Sequence, residues 1–238
     1  MEIRHKIALH VRPQFSVEDS FVLRHLVKKT IRKFSGKNSS DEIVIVEVGS
    51  FLGNGSTQVI IEAMKGHKAV LYCVDTWEGN QNVDWHVELA REYSLLDTFL
   101  YHVQKSGARN FVKPMIMESK DAALIFKDKS CNIVFIDADH SYEQVKNDNE
   151  MWLPKVKQGG ILCGHDCEGS IFDVDHDVIE SHLHSDFVPL ERFKFEGCHP
   201  GVIKAVHILL GERATLWAHK SLKEFGLDGY SSIWHVNM

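Results

Sequence analysis

Two short stretches bring acids and histidines together in this chain. Asp137-Ala138-Asp139-His140 directly follows the apolar run Ile133-Val134-Phe135-Ile136, and Gly164-His165-Asp166 follows Ile161-Leu162-Cys163. Short apolar runs of this kind read as buried strands. If the two lie side by side in a parallel sheet, Asp137, Asp139, His140, His165 and Asp166 meet at its carboxyl edge, where such sheets open a ligand crevice. Several carboxylates beside imidazoles cannot all be buried and charged without a partner. A divalent cation is the economical one, and oxygen donors with an occasional imidazole suit magnesium or manganese. The plain structural alternative is that the acids cap helices and orient loops while the histidines make ordinary hydrogen bonds.

A second centre lies upstream, at I-V-I-V-E-V-G-S-F-L-G-N-G-S, Ile43 to Ser56. An apolar strand carrying Glu47 ends at Gly49, and Ser56-Thr57 can cap a helix through Val59, Ile60, Ile61, Ala63 and Met64. Strand, glycine turn and helix form the first unit of a doubly wound sheet. Glycines let the backbone approach a ligand, and the helix start offers free N–H groups. The glycines fall at Gly49, Gly53 and Gly55, a spacing that does not match the dinucleotide fingerprint G-x-G-x-x-G. This argues against a nicotinamide-dependent oxidoreductase. A second strand, Ala69 to Asp75, ends in an acid 26 residues beyond Gly49. An acid there can accept hydrogen bonds from both ribose hydroxyls of a nucleoside cofactor, or else cap a turn. Thr76 and Trp77 follow at once, and Trp77 either covers the adenosine or simply packs.

The elements that position these centres follow from periodicity. Ser16 caps a helix with Glu18 and Asp19 in its first turn; Val22, Leu26, Val27, Ile31 and Phe34 form its apolar face, and Gly36 stops it. This helix packs on the sheet edge or caps the site. After a polar loop come two helices between 80 and 107, with Trp85, His86 and Tyr93 between them as candidate pocket residues. Phe111 to Met117 reads as a third strand, where Pro114 suits an edge. Ser119 either bonds adenine or caps the helix through Ala122, Ala123 and Ile125. Gly159-Gly160 opens the strand that leads to His165. Ser231 to Val236 reads as the last strand. The expected fold is α/β, Rossmann-like and doubly wound.

E-x-G-x-x-x-G-x-G from Glu47 resembles the first motif of class I S-adenosylmethionine-dependent methyltransferases, whose loop wraps the methionine part of the cofactor. V-D-T-W-E-G at Val74, D-A-D-H-S-Y-E-x-V-x-x-D at Asp137, W-L-P-K-V-K-x-G-G-I-L-x-G-H-D at Trp152 and P-G-V-x-K-A-V at Pro200 extend the likeness over roughly residues 43 to 210. Together they resemble a subgroup similar to macrolide-sugar and cephamycin-pathway proteins, and more distantly the catechol and caffeoyl-CoA O-methyltransferases. The resemblance implies a seven-stranded sheet, mostly parallel, with the last strand entering antiparallel between its neighbours. It also implies S-adenosylmethionine as cofactor, contacted by Glu47, Gly49, Ser50, Gly53, Gly55, Asp75, Thr76, Trp77, Ser119 and Asp137. It implies Asp137 and Asp166 as ligands of magnesium or manganese. Those enzymes often carry an acid-asparagine or acid-acid pair where this chain has His165-Asp166-Cys167, so either His165 replaces the third ligand or the site is empty. His140 falls where caffeoyl-CoA-type enzymes place a lysine near the acceptor hydroxyl, so His140 or His165 is the expected general base.

Length and charge bound the rest. At 238 residues the chain is most simply one domain, with 1–40 as an N-terminal helical cap and 168–199 as an insertion or lid. That stretch holds Asp173, Asp175, His176, Asp177, His182 and His184, and reads as a solvated loop or as a lid with metal affinity of its own. Twenty-seven basic and 33 acidic residues leave a net charge of −6, which argues against a nucleic-acid partner. No apolar run is long enough to cross a membrane, and Met1 to His10 lacks a signal-peptide core. Five scattered cysteines read as reduced thiols of a cytoplasmic protein. The partner is a small hydroxylated acceptor, a metabolite or sugar; its identity and the oligomeric state are not written in the sequence. A non-catalytic relative that binds the cofactor is the remaining alternative.

Overall fold

The computed structural model describes residues 6–36, 41–191, 193–217 and 219–238, without the side chains of 219 and 220. Residues 1–5 and 37–40 of the expected N-terminal cap lie outside that range. Helix α1 (Val17–Phe34) starts at Ser16, whose hydroxyl accepts the Asp19 N–H. The first half of the sheet comes from β1 (Ile43–Val48), α2 (Ser56–Met64), β2 (Ala69–Asp75), α3 (Asp84–Glu92), α4 (Leu95–Lys105), β3 (Val112–Ile116) and α5 (Ser119–Ile125). The second half comes from β4 (Cys131–Ile136), α6 (Tyr142–Trp152), β5 (Val156–Gly164), α7 (His176–Ser181), the short ribbon β6 (Val188–Pro189) and β7 (Gly197–Cys198), α8 (Pro200–Leu210), β8 (Thr215–Leu216), α9 (His219–Lys223) and β9 (Trp234–Asn237).

Seven strands form one sheet in the order β3-β2-β1-β4-β5-β9-β8, and β9 alone runs antiparallel to its neighbours. Alternate strand residues face opposite ways. Ile43 and Ile45 pack with α1, α2 and α4 on one face; Val46 and Val48 pack with α5, α6 and α8 on the other. Burial on both faces explains the near-continuous apolar strands. Pro114 sits in β3, the edge strand, where its missing N–H is tolerated.

The ladder runs on past the strand ends, and this positions the site. Gly49 N–H donates to the Val74 carbonyl (2.9 Å), Asp137 N–H to Val48 (2.8 Å) and His165 N–H to Ile136 (3.1 Å). Gly49, Asp137 and His165 therefore stand in one row at the carboxyl edge.

Three local expectations are corrected. Gly55, not Ser56-Thr57, is the cap residue of α2, because both hydroxyls are drawn inward to Glu47. The cap position of α5 is Glu118, and Ser119 is its first helical residue. Strand β5 begins at Val156 rather than at the glycine pair, with a register irregularity against β4. The two-residue β8 had no periodic signal to read.

Candidate active site

Two cavities open at the carboxyl edge and meet there. One, of about 620 Å³, lies over the ends of β1, β2 and β4, with Asp75, Thr76 and Ser119 in its wall. The other, of about 380 Å³, holds His140, His165, Asp166, Asp186 and His199. Gly49, Phe51, His86, Asp137 and Ala138 line both.

The glycine turn between them is built with little slack. Gly49 has φ +84°, and a Cβ there would sit 1.9 Å from the Asp137 carbonyl oxygen. A Cβ on Gly53 would strike the Phe99 ring at 2.6 Å. Beneath the turn Glu47 is fully buried, and its carboxylate accepts from Ser50 Oγ (2.9 Å), Ser56 Oγ (2.7 Å) and Thr57 Oγ1 (2.7 Å). Glu47 lines neither cavity and supports the loop from below. Burial pushes its carboxyl from 4.5 up to about 7, against the opposing hydroxyls of Thr57, Ser56 and Ser50. Between those values the folded chain holds a proton that the unfolded chain has released. Stability therefore falls as pH rises through this window, by about 3 kcal/mol once complete. Glu47→Gln removes that slope: thermal melts of wild type decline relative to the variant from about pH 5 to 8. Parallel curves contradict the assignment.

Asp75 fixes the same loop from the side. Its Oδ2 accepts the N–H groups of Ser50 (2.9 Å) and Phe51 (2.7 Å), and its Oδ1 that of Trp77 (2.7 Å). Burial raises its pKa, and the Trp77, Phe51 and Ser50 amides pull it back. Trp77, read as covering the adenosine or simply packing, is buried against Phe99 with its indole N–H on the Phe51 carbonyl (2.7 Å), and it lines neither cavity. Gly53 also lines neither; Ser50 and Gly55 line only the smaller cavity. Ser119 donates its hydroxyl to Asp148 (2.5 Å) and receives the Trp152 indole N–H (2.9 Å). Seven carboxylates and a single lysine line the larger cavity. Burial there pushes Asp148 up to about 6.

The smaller cavity brings Asp137, His140, His165 and Asp166 together as expected. His165 Nδ1 lies 3.1 Å from Asp166 Oδ1 and 3.5 Å from Asp137 Oδ1, and His140 Nε2 lies 3.0 Å from Asp166 Oδ2. Asp139 does not join them. Its Oδ1 accepts Ser141 N–H (2.7 Å) in a tight turn, and its Oδ2 accepts Asn82 Nδ2 (3.1 Å). Asp166 adopts φ +59°, held by its N–H on Ser232 Oγ (3.3 Å) and by Cys167 N–H on the Ser232 carbonyl (2.9 Å). For a residue with a Cβ this conformation costs about 1–2 kcal/mol. It turns the carboxylate toward three imidazoles.

The segment 168–199 supplies two partners that the sequence reading missed. Asp186 Oδ1 lies 2.7 Å from His140 Nδ1, and His199 Nδ1 lies 3.8 Å from Asp166 Oδ1 and 2.5 Å from Glu168 Oε1. Burial opposes charging His140, but Asp166 and Asp186 outweigh it and hold its imidazolium well above the ordinary value. Burial likewise opposes His165, and Asp166 and Asp137 overcome it. Asp166 is pushed down in turn, its own burial outweighed by His165, His199 and His140. Gly201 was the available signal for His199. A Cβ there would meet the His140 carbonyl at 2.3 Å, so only glycine lets the start of α8 bring His199 beside His140. None of Asp173, Asp175, His176, Asp177, His182 or His184 joins a metal-sized cluster among the described residues. His86, between the cavities, stacks on Phe51 (4.4 Å between ring centroids), and burial pushes its imidazole down to about 4.

Comparison with known proteins fits this geometry. Residues 46–167 match a family described as a methyltransferase domain. A curated relative, uncharacterized protein y4gI of Sinorhizobium fredii, is 26% identical over 128 residues; the match covers 52% of this chain and 13% of that protein, so the chain spans about an eighth of its length. An O-methyltransferase from Bacillus cereus, solved in complex with SAH, superposes with TM-score 0.55 at 17% identity, covering 98% of this chain and 84% of that one. The O-methyltransferase TomG from Streptomyces achromogenes, solved with SAM, gives 0.56 at 13%, covering 94% and 80%. Cofactor-bound Rv0187 from MTB gives 0.59 at 12%, covering 95% and 82%. At such identities these likenesses speak for the fold: the same Rossmann-like sheet with its last strand reversed. The family match, which spans about half of the chain, shows the family: the chain belongs to the methyltransferase domain family.

Proposed function

We propose that the chain transfers the methyl group of S-adenosylmethionine to a hydroxyl of a small acceptor, a hydroxylated metabolite or sugar, with a divalent cation assisting. The observation that carries this reading is the junction of the two cavities at Gly49 and Asp137. A cofactor in the larger cavity and an acceptor in the smaller one meet across that junction. The acid-lined larger cavity suits a sulfonium and an amine, and it repels the phosphates of a dinucleotide. In this reading Asp75 takes the ribose, with Thr76 and Ser119 nearby, while the Gly49 turn and Asp137 face the methionine end. Segment 168–199 is the lid over the acceptor. The five buried free thiols support a place in the reducing cytoplasm.

His140 is the proton acceptor once the charge of Asp166 is offset by a cation bound to it, which lets the imidazole give up its own proton. Asp166 and Asp186 flank its two ring nitrogens and steady the imidazolium that forms. His165 is the alternative base only where it is not a ligand. Asp137, His165 and Asp166 would hold the cation: their donor atoms lie within 4.8 Å of one another, two carboxylates and one imidazole, a donor set that fits a divalent ion. A bound ion supplies positive charge that lowers the pKa of a neighbouring hydroxyl. The remaining contribution is positioning, which the junction between the cavities provides.

The test is methyl transfer to a panel of catechols and sugars, followed as methyl ether and S-adenosylhomocysteine by mass spectrometry. Turnover is expected with magnesium or manganese, and a drop of at least about 10-fold after chelation. Cofactor binding without turnover on any hydroxylated compound would instead favour a non-catalytic cofactor-binding protein.

A further inference from the structure

We propose that the centre at Asp137, His165 and Asp166 takes a first-row transition-metal ion in preference to magnesium, and that Asp19 is the positioning residue that presents His165 to it. This inference rests on the reading of those three side chains as a cation site. Asp19 belongs to α1, near the opposite end of the chain from the segment that enters β9, yet it joins the two. Its Oδ1 accepts Ser231 Oγ (2.7 Å) and Ser232 N–H (2.9 Å), and its Oδ2 accepts Ser16 Oγ (2.5 Å). Asp19 is buried, and its role in the first helical turn does not require burial. The same Oδ2 lies 3.3 Å from His165 Nε2, an ion-pair distance, and that buried nitrogen makes no hydrogen bond. The Phe15 ring, 4.7 Å away, sets the plane of the imidazole.

A histidine that binds an ion through one nitrogen gives its other N–H to a carboxylate or carbonyl, which fixes its tautomer. With Asp19 on Nε2, Nδ1 is the nitrogen that faces Asp137 and Asp166, and an ion bound there displaces its proton. Magnesium prefers an all-oxygen octahedron, whereas manganese, cobalt and zinc accept imidazole readily, cobalt more tightly than manganese. The surroundings are rich in nitrogen beyond His165: His140 and His199 stand 3.0 and 3.8 Å from the same Asp166 carboxylate. Asp137 and Asp166 alone would make an oxygen site; His165 makes it a mixed one.

The experiment is calorimetric titration of the chelator-stripped full chain with magnesium, manganese and cobalt chlorides, alongside S-adenosylmethionine on the same preparation. Manganese and cobalt are expected to bind at least about 10-fold more tightly than magnesium, following the donor preferences above. Cobalt is expected to give a visible absorption band that changes in His165→Ala. Asp19→Asn keeps an oxygen for Ser231 and Ser232 but presents an amide NH₂ to Nε2. That reverses the tautomer and removes the lone pair from Nδ1. It should lose about 10- to 100-fold in manganese affinity, with cofactor affinity held within about threefold. His165→Asp, which leaves α1 untouched, should move the preference toward magnesium. Equal affinity of wild type for magnesium and manganese overturns the inference, as does unchanged manganese binding in Asp19→Asn. If wild type binds no metal, the cation site and this inference fall together, while its cofactor titration still reports on methyl transfer separately.

Discussion

Asp166→Asn lowers kcat/KM for methyl transfer by about 10³-fold and leaves the dissociation constant for S-adenosylmethionine within about threefold. The asymmetry follows from where Asp166 stands. It lines the smaller cavity and not the larger, so the cofactor does not touch it. Within the smaller cavity it is the shared carboxylate of His140, His165 and His199. An amide of the same shape removes the charge that stabilises His140 as it takes a proton, and it removes one anionic oxygen from the cation site. Both losses act on the reacting end only. Asparagine also tolerates the left-handed backbone at φ +59°, so the fold survives the change. The measurements are steady-state kinetics beside cofactor calorimetry. A rate within tenfold of wild type, or a cofactor affinity that falls in step with the rate, contradicts this placement.

Gly49→Ala abolishes cofactor binding and lowers the melting temperature. Two effects combine at this position. The backbone at φ +84° is one that alanine adopts at a cost, and the added methyl would meet the Asp137 carbonyl oxygen at 1.9 Å and its carbon at 2.5 Å. Those atoms are backbone of the turn after β4, so relief means moving β1 away from β4 at the junction of the two cavities. A cost of about 3 kcal/mol is expected, which for a chain of this size is roughly 6–12 °C in melting temperature. Gly66 provides the control. It has nearly the same φ, +83°, with open space around it, so Gly66→Ala shows the backbone cost alone. Gly49→Ala melting and binding like Gly66→Ala would mean that the close approach to Asp137 is dispensable.

The parallel strands were easy to read because burial on both faces leaves a nearly unbroken apolar run, and Ile43–Val48, Ala69–Asp75 and the run ending at Ile136 all stand where periodicity puts them. The row formed by Asp137, His140, His165 and Asp166 was legible for the same reason: a strand end fixes where the next residues emerge. Direction was harder to read than position. Glu47 and Asp75 lie at strand ends, but only packing tells that one is sealed beneath the glycine turn and the other is tied to its amides. Asp139 lies two residues from Asp137 yet turns into an Asx turn with Ser141, a local competition that residue type alone does not resolve. Asp186 and His199 arrive from a segment of short elements, with partners tens of residues away and no periodicity to announce them. Asp19 was legible as a helix-start acid and not as the carboxylate behind His165, because that contact joins α1 to the end of β5, more than 140 positions away in sequence.

The most direct test of the central claim is calorimetric titration of the wild-type chain with S-adenosylmethionine. Saturable binding at one site with a dissociation constant in the micromolar range, about −8 kcal/mol, is the expected result. No saturable binding at millimolar cofactor would contradict it, because the larger cavity would then lack the ligand on which every proposed role of Asp75, Gly49, Asp137 and His140 depends.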